Sequence, residues 1–207
     1  MSFAQAVSLT RIVPWSQSLL AEILETGDLA VDLTVGAGRD TLFLWQQVAP
    51  SGSVVAFDVQ KAALVRTRLL LQSEGAPVFL HADKGPGGFA EPGVHLIHDS
   101  HAHWLQYDIG SPRAVIANLG YLPGGDRSVM TQPDSTLEAL GGALTLLQEQ
   151  GRLAVVGYPG HDGGHEEIEA VGSLLSGLGP EKWQGLHLRA VNCPQAPLLW
   201  VAEKKAA

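Results

Sequence analysis

At 207 residues with 45% hydrophobic composition, the chain is long enough for one substantial core, and a single domain spanning residues 1–207 is expected. Its formal charge of −8, with Lys and Arg totalling only 13, argues against a large nucleic-acid footprint, because the long-range field repels a phosphate backbone. No apolar run approaches the roughly 18 to 20 residues of a membrane span, and the start lacks a basic segment followed by an apolar one. The expectation is a cytoplasmic protein with no membrane partner.

Strand-like apolar runs alternate with helical patterns, the mark of an α/β fold with a mostly parallel sheet covered on both faces. The first helical pattern runs from Ser16 to Glu25 and the first strand from Leu29 to Leu33. Helices at Asp40–Val48 and Lys61–Glu74 then flank a strand at Ser53–Phe57. The Gly- and Pro-rich stretch from Pro77 to Gly93 reads as an insertion or lid before a strand at Val94–His98. Strands at Ala114–Asn118 and Arg152–Gly157 follow, with helices at Ser135–Gln150 and Glu166–Leu178; Ser135 and Glu138 have capping-box spacing. Two last strands, Leu186–Val191 and Leu198–Glu203, have no helix between them, so they are expected to pair antiparallel. Cys193, the single cysteine, has neither a disulfide partner nor metal-ligand spacing.

The run AVDLTVGAGRDTLFL places an apolar strand, then Asp32, then a Gly36-Ala37-Gly38 turn, then a helix. In an open α/β sheet, ligands bind at that edge, where glycines let them approach the backbone. Asp58 ends the next strand, twenty residues past Gly38, where a carboxylate can accept hydrogen bonds from both ribose hydroxyls. Asp32 then lies nearer the tail of the same ligand. A GxG turn alone serves tight packing as readily as binding, and it is the register of both acids around it that points to a nucleotide. Thr41 stands where a dinucleotide fingerprint has its third glycine, and Asp40 puts negative charge at the helix start that a pyrophosphate requires. An acidic edge of this kind suits a ligand with a cationic sulfonium and an amino-acid tail.

A second group of residues gathers at the ends of the later strands. AVIANLGYLPGGDRS ends a strand at Asn118 and breaks into a turn holding Gly120, Tyr121 and Asp126. An Asn followed by non-helical backbone can orient an amine through its side-chain oxygen, although Asn-x-Gly and Pro-Gly-Gly are also ordinary turn chemistry. VVGYPGHDGGHEE offers Tyr158, His161, His165, Glu166 and Glu167. HxxxHE is not a zinc-protease pattern, so the metal assignment is none; an acidic first turn complementing the helix dipole is the plainer account, with a histidine as base the sharper one. In HLIHDSHAHW, Asp99 and Ser100 fall where an adenine can be gripped, and His98, His101 and His103 alternate as at a strand end. Lys61, Arg66 and Arg68 lie close in sequence, and Arg113, Arg127 and Arg152 make a second basic group if the fold gathers them; such charges are more often a solvated face.

In this order, DLTVGAGRDTLFL, FDVQ, HDSHAHW, NLGYLPGGDRS and YPGHDGGHEE resemble the family first labelled "putative rRNA methylases" and associated with MnmM-type tRNA 5-(aminomethyl)-2-thiouridine methyltransferases. The resemblance runs from about Ile12 to Lys204. It implies a Rossmann-like class I methyltransferase sheet of seven mostly parallel strands with a C-terminal antiparallel hairpin, and S-adenosylmethionine as cofactor. By this resemblance Gly36, Ala37, Gly38 and Asp40 form the first cofactor loop, Asp58 and Gln60 follow the second strand, and Ser100 and His101 follow the third. Ala37 replaces the family's usual Asn, leaving one cofactor hydrogen bond absent or supplied by Arg39, and Asp83 is the alternative adenine-side acid.

The implied reaction is methylation of the exocyclic amine of 5-aminomethyl-2-thiouridine at the tRNA wobble position. In it Asn118, Gly120 and Tyr121 place the amine and base, and Asp126 or His161 takes the proton. The acidic total keeps a small-molecule or protein amine open as acceptor, and a non-catalytic nucleotide-binding module or a dehydrogenase as further readings. A homodimer is among the allowed assemblies.

Overall fold

The computed structural model describes residues 11–81, 89, 91–120, 130–160 and 163–206. In chain order these form α1 (Ile12–Ala21), β1 (Leu29–Asp32), α2 (Arg39–Val48), β2 (Ser53–Phe57), α3 (Lys61–Ser73), β3 (Val78–His81) and β4 (Gly93–Ile97). A 3-10 helix (His101–Gln106), β5 (Ala114–Asn118), α4 (Pro133–Leu146), β6 (Arg152–Gly157), α5 (Gly164–Ser176), β7 (Trp183–Leu188) and β8 (Leu198–Lys204) complete it.

The strands make one sheet in the order β3-β4-β2-β1-β5-β6-β8-β7. Pairing is parallel from β3 through β6, whereas β8 runs antiparallel to both β6 and β7, as expected for the closing hairpin. The count is eight rather than seven. The extra strand is the outermost one, β3, formed by part of the stretch expected to be an insertion. Its residues are mostly half-exposed, and its apolar run is only the three residues Val78 to Leu80. It lies against β4 because Gly93 has no side chain: a Cβ there would come within 2.7 Å of Phe79.

The middle strands are buried on both faces, which explains their runs of Val, Ile, Leu and Ala, interrupted in β4 by the buried His95. One face packs on α1, α2 and α3 through Leu20, Leu44, Leu64 and Leu71. The other packs on the 3-10 helix, α4 and α5 through Trp104, Leu140, Leu147 and Val171. Trp104 is fully buried, and its indole N–H donates to the Ala139 carbonyl at 3.0 Å.

Several boundaries differ from expectation for local reasons. α1 starts at Ile12, four residues early, because Pro14 falls in the first turn, where no N–H is needed. α4 starts at Pro133, whose fixed φ suits a first helical position, so the capping box is not formed and Ser135 Oγ instead donates to the Gln132 carbonyl at 3.0 Å. β7 begins at Trp183, in register with Lys204, rather than at Leu186. His101 and His103 belong to the 3-10 helix, not to a strand end. No described helix is long and apolar enough to cross a membrane.

Candidate active site at the carboxyl edge of the sheet

The chain leaves β1 for β2 on one side and later returns to β5 on the other, so the carboxyl ends of β1, β2 and β5 flank a switch in strand order. Asp32, Asp58 and Asn118 stand at these three ends. The loop between β1 and α2 is stitched to both neighbours: Leu33 N–H donates to the Ile116 carbonyl at 2.9 Å and Val35 N–H to the Phe57 carbonyl at 3.0 Å. Gly38, at φ +76°, adopts a left-handed turn, and a Cβ on it would come within 2.5 Å of Thr67 on α3. This glycine therefore sets both the turn and the contact between α2 and α3.

Thr41 explains its own place at the third-glycine position. It is fully buried, and its hydroxyl donates to Asp32 at 2.6 Å, while Thr34 N–H donates to the other carboxyl oxygen at 3.0 Å. Asp32 is only 1% exposed. With both carboxyl oxygens engaged, Asp32 braces the loop from behind. Burial, then the nearby charge of Asp40, pushes its pKa up to about 7.

Asp58 remains half-buried at the edge. It accepts Gly36 N–H at 2.8 Å and Gln60 N–H at 2.7 Å, one on each oxygen, which leaves lone pairs for further donors. Burial raises its pKa and those two bonds oppose the rise. Ala37 is exposed at the tip of the turn, with Arg39 exposed beside it. Asp40 joins three elements, accepting from Gln17 Nε2 of α1 at 2.7 Å and from Asn118 Nδ2 of β5. Its pKa is also raised, chiefly by burial.

Asn118 is thereby oriented. Its backbone N–H donates to Thr34 Oγ1 at 2.7 Å, and its side-chain amide to Asp40. Its Oδ1 lies 3.5 Å from the Tyr158 hydroxyl at the end of β6, whose pKa burial and Asp40 raise. Two residues on, Gly120 turns at φ +125°. Its N–H donates to the Thr131 hydroxyl at 2.8 Å, which in turn donates to Glu167 at 2.8 Å, and Thr136 donates to the other oxygen of Glu167 at 2.6 Å. Glu167 is 2% exposed. It clasps the turn after β5 and the start of α4 to the first turn of α5, a role that its reading as dipole compensation missed. Glu167→Ala strands both threonine hydroxyls, and its expected cost is roughly 2 to 4 kcal/mol. An unchanged urea midpoint would reject the clasp.

The residues after β4 divide. Asp99 accepts from Ser100 N–H at 2.8 Å, from His103 Nδ1 at 2.8 Å and from the Tyr107 hydroxyl at 2.9 Å, while Ser100 Oγ caps the 3-10 helix. Burial and the Asp99 carboxylate push Tyr107 up to about 12. His101 lines a narrow crevice with Leu33, Thr34, Ala117 and Leu119, and its buried Nε2 has no hydrogen-bond partner. Burial pushes His101 down to about 4, so its ring is neutral. His165 is solvent-exposed. Tyr121, Asp126, His161 and Asp83 lie outside the described residues, as does Arg127.

The structure does not gather Arg113 and Arg152 for a ligand. Arg152 pairs with Glu203 at 2.6 Å and Glu22 at 2.7 Å, and Arg113 donates to the Ile23 and Glu149 carbonyls. Both begin or precede strands at the opposite edge of the sheet.

The donor set fits a sulfonium nucleotide. Three carboxyls surround one loop, Asp40 occupies the helix start that a phosphate would need, and Asp58 keeps acceptor capacity for a ribose.

Residues 54–204 match the family model described as "Putative rRNA methylase". The chain belongs to this family. It is 34% identical over 194 residues to a protein of Arabidopsis thaliana named tRNA (mnm(5)s(2)U34)-methyltransferase, chloroplastic, covering 90% of this chain. The chain spans 65% of the length of that curated relative. The "putative rRNA-methylase" of Clostridium thermocellum superposes with a TM-score of 0.84 at 32% identity, over 96% of this chain and 99% of that one. A "putative methyltransferase" from Streptococcus mutans, solved in complex with S-adenosylhomocysteine, gives 0.80 at 32% identity, over 96% and 99%. The chain has the Rossmann-like fold of these methyltransferases.

Proposed function

We propose that this methyltransferase N-methylates the aminomethyl group of 5-aminomethyl-2-thiouridine at the wobble position of tRNA. The observation that carries the reading is Asn118, an amide at the carboxyl end of β5, locked by Asp40 and turned with its oxygen toward Tyr158. A fixed amide oxygen can accept one N–H of a primary amine and leave the nitrogen lone pair aimed at a methyl carbon. The name of the Arabidopsis relative supplies the substrate class.

In this reading Asp58 takes the ribose hydroxyls, with Gln60 beside it. The loop of Gly36, Ala37 and Gly38 takes the amino-acid tail, Asp40 acts from behind it, and Asp99, Ser100 and His101 border the adenine. When bound, S-adenosylmethionine supplies an electrophilic methyl group. The neutral amine nitrogen forms the new N–C bond as the S–C bond breaks, the sulfonium leaves as a neutral thioether, and the ammonium product gives up a proton. In this reading Asp126 or His161 receives that proton and Tyr121 contacts the base, while Gly120 turns the backbone just after Asn118.

The deciding experiment incubates the protein with labelled S-adenosylmethionine and tRNA from cells lacking the final modification, followed by nucleoside analysis. A 5-methylaminomethyl-2-thiouridine product is expected. Label on another nucleoside, or on no tRNA at all, would overturn the assignment.

A further inference from the structure

We propose that the exposed face of α3 is the surface on which the RNA phosphodiester backbone docks, an inference that rests on the tRNA reading above. Between Asp58 and Glu74 the sequence contains Lys61, Arg66 and Arg68 and no acidic residue, in a chain whose net charge is −8. All three cations are exposed, and among the described residues no ion pair engages them. Arg113 and Arg152, by contrast, are held internally.

Helical geometry places these charges on one surface. At 100° per residue, Lys61 and Arg68 fall on nearly the same line two turns apart, about 10 Å along the axis. Arg66 lies on the far side of a ridge formed by Val65 and Leu69, which are 53% and 64% exposed. The opposite side of the helix, Ala63, Leu64, Thr67 and Leu71, is buried against the body of the protein. An apolar ridge between two basic flanks is not the uniformly polar face of a merely solvated helix.

The surface is also correctly placed. α3 begins three residues after Asp58, so its basic face starts at the ligand edge. The contact between Gly38 and Thr67 sets the start of α2, with exposed Arg39, against the middle of α3. Charge complementarity selects a polyanion as occupant. Against a net charge of −8, this cluster of cations without an intervening acid attracts a polyanion, and its field orients the RNA as well as holding it.

The test compares the wild-type protein with the triple variant Lys61→Gln, Arg66→Gln, Arg68→Gln, and with Lys182→Gln, Arg189→Gln at the β7 edge as control. Dissociation constants for tRNA bearing 5-aminomethyl-2-thiouridine are measured from 50 to 300 mM KCl, with S-adenosylhomocysteine calorimetry reporting on folding of each variant. The triple variant should bind tRNA roughly 10- to 100-fold more weakly and lose about 2 from the log–log salt slope, while the control matches wild type. An unchanged constant and slope in a triple variant that still binds S-adenosylhomocysteine overturns the docking surface and leaves the function standing. A change of oligomeric state with tRNA affinity intact assigns the face to a second copy and likewise overturns it. A wild-type protein that neither binds nor methylates tRNA overturns both readings.

Discussion

Replacing Asn118 with alanine is expected to lower the single-turnover rate of methyl transfer by roughly 100- to 1,000-fold. Affinity for S-adenosylhomocysteine should change by less than about threefold. The separation follows from which atoms of Asn118 do what. Its backbone N–H, which holds Thr34 and through it the loop after β1, survives the substitution. Asp40 loses one donor but keeps Gln17 at 2.7 Å, so the start of α2 stays anchored to α1. What disappears is the only side-chain oxygen that the β5 end directs toward Tyr158 among the described residues. The amine then loses its orienting acceptor while the cofactor loop keeps its shape. Stopped-flow transfer on modified tRNA and calorimetry with S-adenosylhomocysteine measure the two quantities separately. Turnover close to wild type would remove Asn118 from the acceptor site, and equal losses in both would make it part of the loop's scaffold instead.

The sheet and the residues at its carboxyl edge were legible because buried parallel strands leave apolar runs, and two of these runs, paired in register, end in acids. Asp58, Asn118 and the Gly36–Gly38 turn sit where the pattern puts them. Depth was not legible. Asp32 and Asp58 look alike as strand-ending acids, yet one is 1% exposed behind the loop and the other half-buried at the edge. The departure at Thr41 carried that information, since a hydroxyl replacing a glycine next to a buried acid marks a donor facing inward. Glu167 was hidden for a related reason: an acid in a helix's first turn reads as dipole compensation, and its partners Thr131 and Thr136 lie over 30 residues away. β3 escaped because an edge strand of four residues has too little buried surface to impose a pattern.

The burial of Asp32 has a thermodynamic signature. An acid whose pKa rises from 3.8 to about 7 on folding holds its proton more tightly in the folded state than in the unfolded one. Its contribution is fully present below pH 3.8 and is lost as pH rises toward 7. The full loss is about 4 kcal/mol, or about 1.4 kcal/mol per pH unit inside the window. Asp32→Asn removes the titration while keeping the geometry, because an amide oxygen can accept Thr34 N–H and an amide nitrogen can donate to the Thr41 hydroxyl. Relative to wild type, this variant should therefore gain stability steadily between pH 5 and 7 and then level off. Other acids titrate in the same range, so the difference between the two proteins is the quantity to follow, by urea unfolding at half-unit pH intervals. A difference that stays flat across that interval would place the Asp32 carboxyl in an ordinary solvated environment, and a falling one would mean that its ionised form is the one the fold holds.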